Sequence, residues 1–517
     1  MVKNAIATQN LSGLLDGDGG PALSVADAAA ISYSTCVSRC GAGQEPFQWS
    51  VFSQEFSAWL LPNLALISQL PFGAQYRLDN LMSAVLTVGS PALAGYSIFI
   101  TLLNSRWINR RFNHSVDYPN SRFAVLILSS LQQVPLRLHP DHARLPSFIV
   151  LPENDSWWKC FAEFVDYTHT WSIASATSIA WVVVAYILTV VNSLSDVYAN
   201  VQSNGEATGS VWLWLIPIVV GWLQLSPKCD FNRLQAAYDR ADRHSTHTGP
   251  KDVHMEMLPA SSRRALAITA KEEDVTSPDE LLTPPVFNYS RSLRWASTAD
   301  TIFLVFKGAS EKAQSHLPVC FGNIVMYCAQ PGKVQRSHWA PGVFTRMAIA
   351  SCASLTLQWG TVGAAFMVGW FTPTTQIGCR ALGYLLYGAI STLIWFMLLL
   401  SSILAHYSTT CSHRPSLSSR VALAMSHCLR WVGKLFAIIN FILVVLACTF
   451  QYSSFYDRCF CNSSVFSRGS GAYAVIIETT AQAAQAKAAW IGALVMACTS
   501  ALVFIGLVNL LLDTLPS

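Results

Sequence analysis

The chain has 517 residues, with 33 Lys or Arg against 29 Asp or Glu and a formal net charge of +4. Charged residues make up 12%, about half of the roughly 25% usual in globular proteins, while 52% are hydrophobic and mean hydropathy is +0.37. This excludes an ordinary multi-domain soluble protein, and no nucleic-acid partner is expected.

In chain order, residues 1–46 are small and polar, with Gly17-Asp18-Gly19-Gly20, and read as a disordered extracytoplasmic N-terminus. No basic start is followed by an apolar core, so no cleavable signal peptide is expected. Residues 47–73 follow. Phe47, Val51, Phe52, Phe56, Trp59 and Leu60 make a helical apolar stripe, but Pro62, Asn63, Gln69 and Pro71 interrupt what comes after. We read this as an interfacial or re-entrant segment. A true span there is the alternative, and it would reverse the side of the N-terminus.

Seven longer apolar runs lie at 81–104, 170–194, 209–226, 347–371, 381–405, 432–452 and 488–511. They match the about 20 residues that a hydrocarbon core requires of a helix and are too long for strands. The expected fold is therefore all-α: a polytopic transmembrane helix bundle of about seven spanning helices, eight if 57–73 spans, with cytosolic loops. Helices one to three occupy 81–226 around a loop at 105–169. A second loop covers 227–346, and helices four to seven occupy 347–511 with an outer loop at 453–487.

Basic residues orient the bundle, because cytosolic loops collect Lys and Arg. The loops 105–169, 227–346 and 406–431 hold 25 of the 33, whereas 195–208 holds none and 453–487 only three. Seven helices then put the N-terminus outside or lumenal and the C-terminus in the cytosol of a plasma membrane or endomembrane protein. Within the cytosolic parts, 121–138 reads as an amphipathic helix, Trp157-Trp158 as an interface anchor, and 228–243 as an extension of the third helix. Residues 244–292 read as a disordered linker in which Ser277 and Thr283, each before a proline, are phosphorylation candidates. Residues 295–340 regain apolar character and are expected to pack beneath the helices.

The runs are chemically quiet. Apart from Lys434 near the start of the run at 432–452, none contains Asp, Glu, Lys, Arg or His, which argues against ion coupling; Gln358, Asn192, Asn440 and Asn509 suit interhelical hydrogen bonds. His139/His142 and His244/His247 sit in polar loops and read as solvated, short of the three or four ligands a metal requires. No metalloprotease, nucleophile-elbow, phosphate-loop or dinucleotide motif is present. No catalytic residue, metal or cofactor is expected. Small residues recur every fourth position at Thr168, Ser172, Ala176 and Ala180 and at Ala489, Ala493, Ala497 and Ala501, which serves packing within the bundle or a homo-oligomer face. The leading function is a non-enzymatic membrane scaffold or sensor with cytosolic protein partners in a lipid bilayer. The alternative is a transporter or channel for a neutral or lipophilic solute.

The outer loop carries Cys459 and Cys461 followed by Asn462-Ser-Ser, a glycosylation candidate on that side. Disulfides persist there, and a 459–461 bond would close a strained ring. We therefore expect two disulfides joining Cys36 and Cys40 to Cys459 and Cys461, in either cross-linked connectivity, with Cys379 and the other thiols reduced. The stretches CVSRCGAGQEPF (36–47), LPENDSWW (151–158), WLWLIPIVVGWLQLSPKCD (212–230) and YDRCFCNSS (456–464) resemble those of a family of fungal multi-pass membrane proteins. The resemblance covers most of the chain outside 244–292 and the extreme N-terminus. It implies a eukaryotic membrane location and supplies no catalytic residues.

Overall fold

A computed structural model describes residues 12–24, 26–41, 49, 52–53, 56, 60–138, 144–150, 152–167, 172–195, 205–247, 265–268, 275–314, 338–372, 374–410, 416–453, 455–476 and 479–513. In chain order, β1 (Leu14–Leu15) and β2 (Ala30–Ser32) lead into α1 (Tyr33–Cys40), followed by α2 (Leu61–Ile67), α3 (Arg77–Gly89) and α4 (Pro91–Ser115). Next come α5 (Ser121–Ser130), β3 (Arg137–Leu138), α6 (Arg144–Val150), α7 (Asp155–Val165) and α8 (Ile173–Ser195). After these stand α9 (Gly205–Trp212), α10 (Leu215–Leu225), α11 (Phe231–His247), β4 (Leu266–Ala267) and α12 (Asn288–Gln314). The last third holds α13 (Val343–Trp370), α14 (Cys379–Thr410), α15 (Leu417–Tyr452), α16 (Cys459–Asn462), α17 (Val465–Arg468), β5 (Tyr473–Val475) and α18 (Thr480–Leu512).

The described chain is almost wholly helical, and α8, α14, α15 and α18 are long and apolar enough to cross a membrane. A fifth crossing is counted if α3 and α4, bent by 104°, form one broken span. This corrects the expected seven or eight. The run at 209–226 is divided between two short helices, α9 and α10. In the run at 347–371, α13 is long but diluted by Ser351, Ser354, Gln358 and Thr361, all buried inside the bundle.

The run at 81–104 breaks at Ser90–Pro91. Proline has no N–H and cannot continue the helix before it, and Ser90 caps α4 by accepting from the Leu93 N–H. The break strands backbone groups that only side chains can then satisfy at membrane depth. Tyr387 of α14 donates to Val88 O at 2.7 Å, Asn440 of α15 donates to Gly89 O at 2.7 Å, and Gln358 of α13 accepts from the Ala92 N–H at 3.1 Å. Ser90 Oγ itself donates to Ser391 O at 2.9 Å. Every one of these side chains except Tyr387, at 1%, is fully buried.

The long helices connect two unlike ends. At one, a cap forms: β1, β2 and β5 make an antiparallel sheet in which Ala30 faces Val475. Its small core is Leu14, Ala22, Ala28, Ile31 and Ala474 around the Cys36–Cys459 bond. This end meets the first turn of α18, where Gly17 lies against Gln482 and Thr479 and Gln482 form a capping box. At the other end, a floor of α5, α7, α11 and α12 packs on the far half of α4. Its core is aromatic: Phe148, Trp157, Trp158, Phe161, Tyr238 and Phe306 meet edge-on or tilted at 4.8–5.9 Å. The 32-residue α14, about 48 Å long at 1.5 Å per residue, starts with Cys379 at the cap and passes His406 at the floor before ending at Thr410.

Several expectations are corrected here. Residues 12–41 are ordered, because strand partners and a disulfide from residue 459 onward supply what local composition lacks. Residues 265–268 and 275–292, inside the expected linker, are built into the floor; β4 pairs with β3. Trp157 and Trp158 are each 1% exposed, core residues and not interface anchors. The chain leaves α10 through Ser226 at φ +48°, so α11 starts anew at Phe231 and does not extend the third run.

Candidate functional site

The side of the floor that meets the long helices carries a dense layer of charge. The turn at 276–280 inserts two carboxylates between α12 and α15. Lys434 donates to Asp279 Oδ1 at 2.5 Å and the Tyr289 hydroxyl donates to Oδ2, with Asp279 1% exposed. Glu280 accepts from Arg294 at 3.0 Å and from Thr276 at 2.7 Å. Arg430 donates to Ser277 Oγ at 2.8 Å. Buried charges survive only when paired and hydrogen-bonded, and this turn supplies the pairs. Burial, then the neighbouring Asp279 charge, push the Tyr289 hydroxyl well above its ordinary value.

A second cluster joins α4 to α12. Arg111 pairs with Asp300 Oδ1 while its guanidinium lies 4.0 Å from the Phe303 ring centre. Arg346 covers Trp107 at 4.1 Å and donates to Asn104 at 2.9 Å. His338 Nε2 is 2.8 Å from Asp300 Oδ2, and its Nδ1 is 3.1 Å from Ser297 Oγ. Burial alone would raise the Asp300 carboxyl, but the His338 and Arg111 contacts together hold it below the usual carboxylate value. Ser297, His338 and Asp300 touch in the order of a hydrolase triad. Ser297 Oγ, however, also accepts from the His338 backbone N–H at 2.9 Å, and Ser297 is 5% exposed. The three residues thus pin the chain entering α13 onto α12.

Between these clusters lies a cavity of about 70 Å³ lined by Ser277, Glu280, Tyr289, Arg294, Ser402 and His406. It has room for a few waters, far below the roughly 300 Å³ or more of a small-molecule pocket. Next to it Arg291 is 3% exposed and donates to Gln133, Pro284 O and Asn288. Burial pulls its guanidinium down to about 9. Arg291 reaches the bundle through a relay: Asn288 Nδ2 donates to Thr101 Oγ1 at 2.8 Å, and Thr101 donates to Ser97 O at 2.7 Å.

The residues singled out from sequence fall into four groups. The four disulfide candidates were expected to pair among themselves. Cys36 does bond Cys459, as one of the expected cross-links, but Cys461 bonds Cys379, which was expected to be reduced; the Cα separations are 5.9 and 4.8 Å, and Cys40 is exposed and free. Cys379 opens α14 directly below α16, so it lies nearer to Cys461 than a cysteine one turn along α1 can. Ser277 and Thr283 are 7% and 3% exposed; Ser277 accepts from Arg430 and Thr283 donates to Gly73 O. Neither hydroxyl is open to a kinase in the folded chain. Asn462 is half-buried and its neighbour Ser464 is fully buried. His139 and His142 lie outside the described residues, and His244 and His247, expected in a polar loop, fall in the last turn of α11. Among the described residues no group of three or more His, Cys, Asp or Glu is placed to hold a metal ion.

Sequence reasoning missed the charged floor. Its signal was the pairing of Ser277 and Asp279 with Arg430 and Lys434, about 150 residues apart, which nothing local reveals. No protein family, curated protein or solved structure matches the chain.

Proposed function

We propose that this protein is a non-enzymatic integral membrane scaffold or sensor, in a eukaryotic membrane as its resemblance to fungal multi-pass proteins implies. The cap lies outside or in a lumen, and the floor is cytosolic and meets protein partners. The observation that carries this is the sealed break at Ser90. Side chains from α13, α14 and α15 fill it, and the bundle centre is closed by fully buried Leu86, Val88, Leu93, Tyr96 and Val362. Disulfides in the cap suit an oxidising compartment, and the basic floor suits the cytosol. Trp431, 67% exposed between Arg430 and Lys434, suits the inner headgroup level.

The route of the chain refines the crossing pattern within this reading. Gly41 ends α1 in the cap, whereas Gly73 lies against Cys229 and Thr283 of the floor. Within this reading α3 with α4 enters from the floor and returns to it. Asp79 near Lys434 and Arg111 on Asp300 mark its two feet. Glycosylation at Asn462 belongs to this reading and would precede closure of the cap, since Ser464 is buried. On α18 the small-residue face is used inside the bundle: Ala493 and Ala497 are fully buried, and a Cβ on Gly360 of α13 would come within 2.3 Å of Ser500. On α8, Ser172, Ala176 and Ala180 stay exposed and are the face open to a second copy or to lipid.

A second reading, transport of a neutral or lipophilic solute, is favoured by the break itself, since discontinuous helices line many transport sites. Ser391→Cys separates the two. In the scaffold the thiol stays unreactive to maleimides in native membranes; rapid labelling from either face would favour transport. Orientation is checked with glycosylation acceptors: one at position 200 is modified and one at 270 is not.

A further inference from the structure

At the centre of the floor, buried donors outnumber acceptors. Arg291 has no carboxylate within ion-pair distance among the described residues. Its three hydrogen bonds all leave from Nη2, while Nε and Nη1 are buried with no acceptor. Gln133, 2% exposed, gives its Oε1 to Arg291, and its Nε2 is likewise buried without an acceptor. The Oε1 contact fixes the amide orientation, because the flipped amide would turn its N–H groups on the guanidinium. The nearby carboxylates are engaged: Asp279 with Lys434 and Tyr289, Glu280 with Arg294 and Thr276.

We propose that Arg291 and Gln133 hold a small monovalent inorganic anion of the chloride class inside the floor. One guanidinium charge with no carboxylate in ion-pair contact matches one negative charge. A free guanidinium N–H and a single amide N–H suit a weakly hydrated halide better than phosphate or sulfate, which need more donors. Buried polar groups without partners point to a missing ion or water, and a lone buried charge is the more demanding case. The closest thiol cannot serve, because burial pushes Cys229 up to about 11 and keeps it neutral. The bound anion ties α12 to the turn at 131–133, and the Asn288–Thr101–Ser97 relay carries its presence to α4, the helix that leaves the break.

The test uses the full chain purified in detergent. Equilibrium binding of radioactive chloride is expected to saturate at about one ion per chain, and melting is expected at a higher temperature in chloride or bromide than in gluconate of equal ionic strength. Gln133→Glu places a tethered carboxylate in the site. It should weaken chloride binding by at least about tenfold, remove the chloride dependence of melting, and leave the protein folded. If the wild type shows no saturable chloride binding and melts alike in chloride and gluconate, the donors hold only water and the proposal falls. It falls equally if Gln133→Glu binds chloride as the wild type does.

Discussion

The two ends of the bundle meet the same demand by opposite means. The cap has a core of a few small residues, Leu14, Ala22, Ala28, Ile31 and Ala474, and is closed by two disulfides. Small modules that cannot bury enough apolar surface rely on such staples. The floor has large aromatic side chains to bury and no disulfide among its described residues; it adds paired charges, with Asp279, Glu280 and Asp300 each meeting a cation. Covalent closure therefore stands where the core is thin, and charge pairing where a turn must be held against the long helices.

This contrast can be broken from either side. The largest effect is expected at the floor. Asp279→Asn leaves Lys434 and the Tyr289 hydroxyl without their anion, and losing one partner of a buried pair costs about 3–5 kcal/mol. A thermal melt should fall by many degrees while the cap disulfides stay formed in non-reducing peptide maps. Next, Cys459→Ser opens a bond that closes a separation of 423 residues, worth about 2–4 kcal/mol for a typical disulfide. Here the loss is local. Residues 12–41 should become sensitive to protease while the floor keeps its amide-exchange protection.

Asn440→Ala tests the region between. It leaves Gly89 O and Tyr387 O without their donor, a loss of about 1–3 kcal/mol for buried unsatisfied groups, read as a lower melting temperature with both ends unchanged. The smallest effect is in pH. The Asp300 carboxyl is depressed in the folded state, so its contribution is fully present above the ordinary carboxylate value of about 4. It is lost as pH falls through the depressed one. Asp300→Asn should flatten the acid limb of the stability curve.

What was legible in the sequence follows from range. The run at 170–194 became α8 at Ile173–Ser195 because helical hydrogen bonds are local and apolar length is enough to call for them. The outer-loop cysteines announced a covalent tie to residues near 36, but the choice of Cys379 over Cys40 depends on where α14 starts in space. Pro91 was visible inside its run, yet a proline there suits a kink as well as a 104° break; the outcome rests on Gln358, Tyr387 and Asn440 arriving from three other helices. The turn at 276–280 reads as linker because Ser277-Pro278 and Thr283-Pro284-Pro285 are turn chemistry, and its order comes from Arg430 and Lys434. Trp157 and Trp158 have the composition of an interface belt, and only Phe148, Tyr238 and Phe306 make them core.

The most direct measurement asks whether cap and floor face opposite sides of a membrane. Cys40 is an exposed free thiol in the cap, and Ser418 is exposed at the floor end of α15. A Ser418→Cys variant is treated with a membrane-impermeant maleimide in sealed vesicles of known sidedness, and the modified peptides are mapped. The account predicts labelling of Cys40 from the outer or lumenal face and of position 418 only after permeabilisation. Labelling of both positions from one face of sealed vesicles would contradict it.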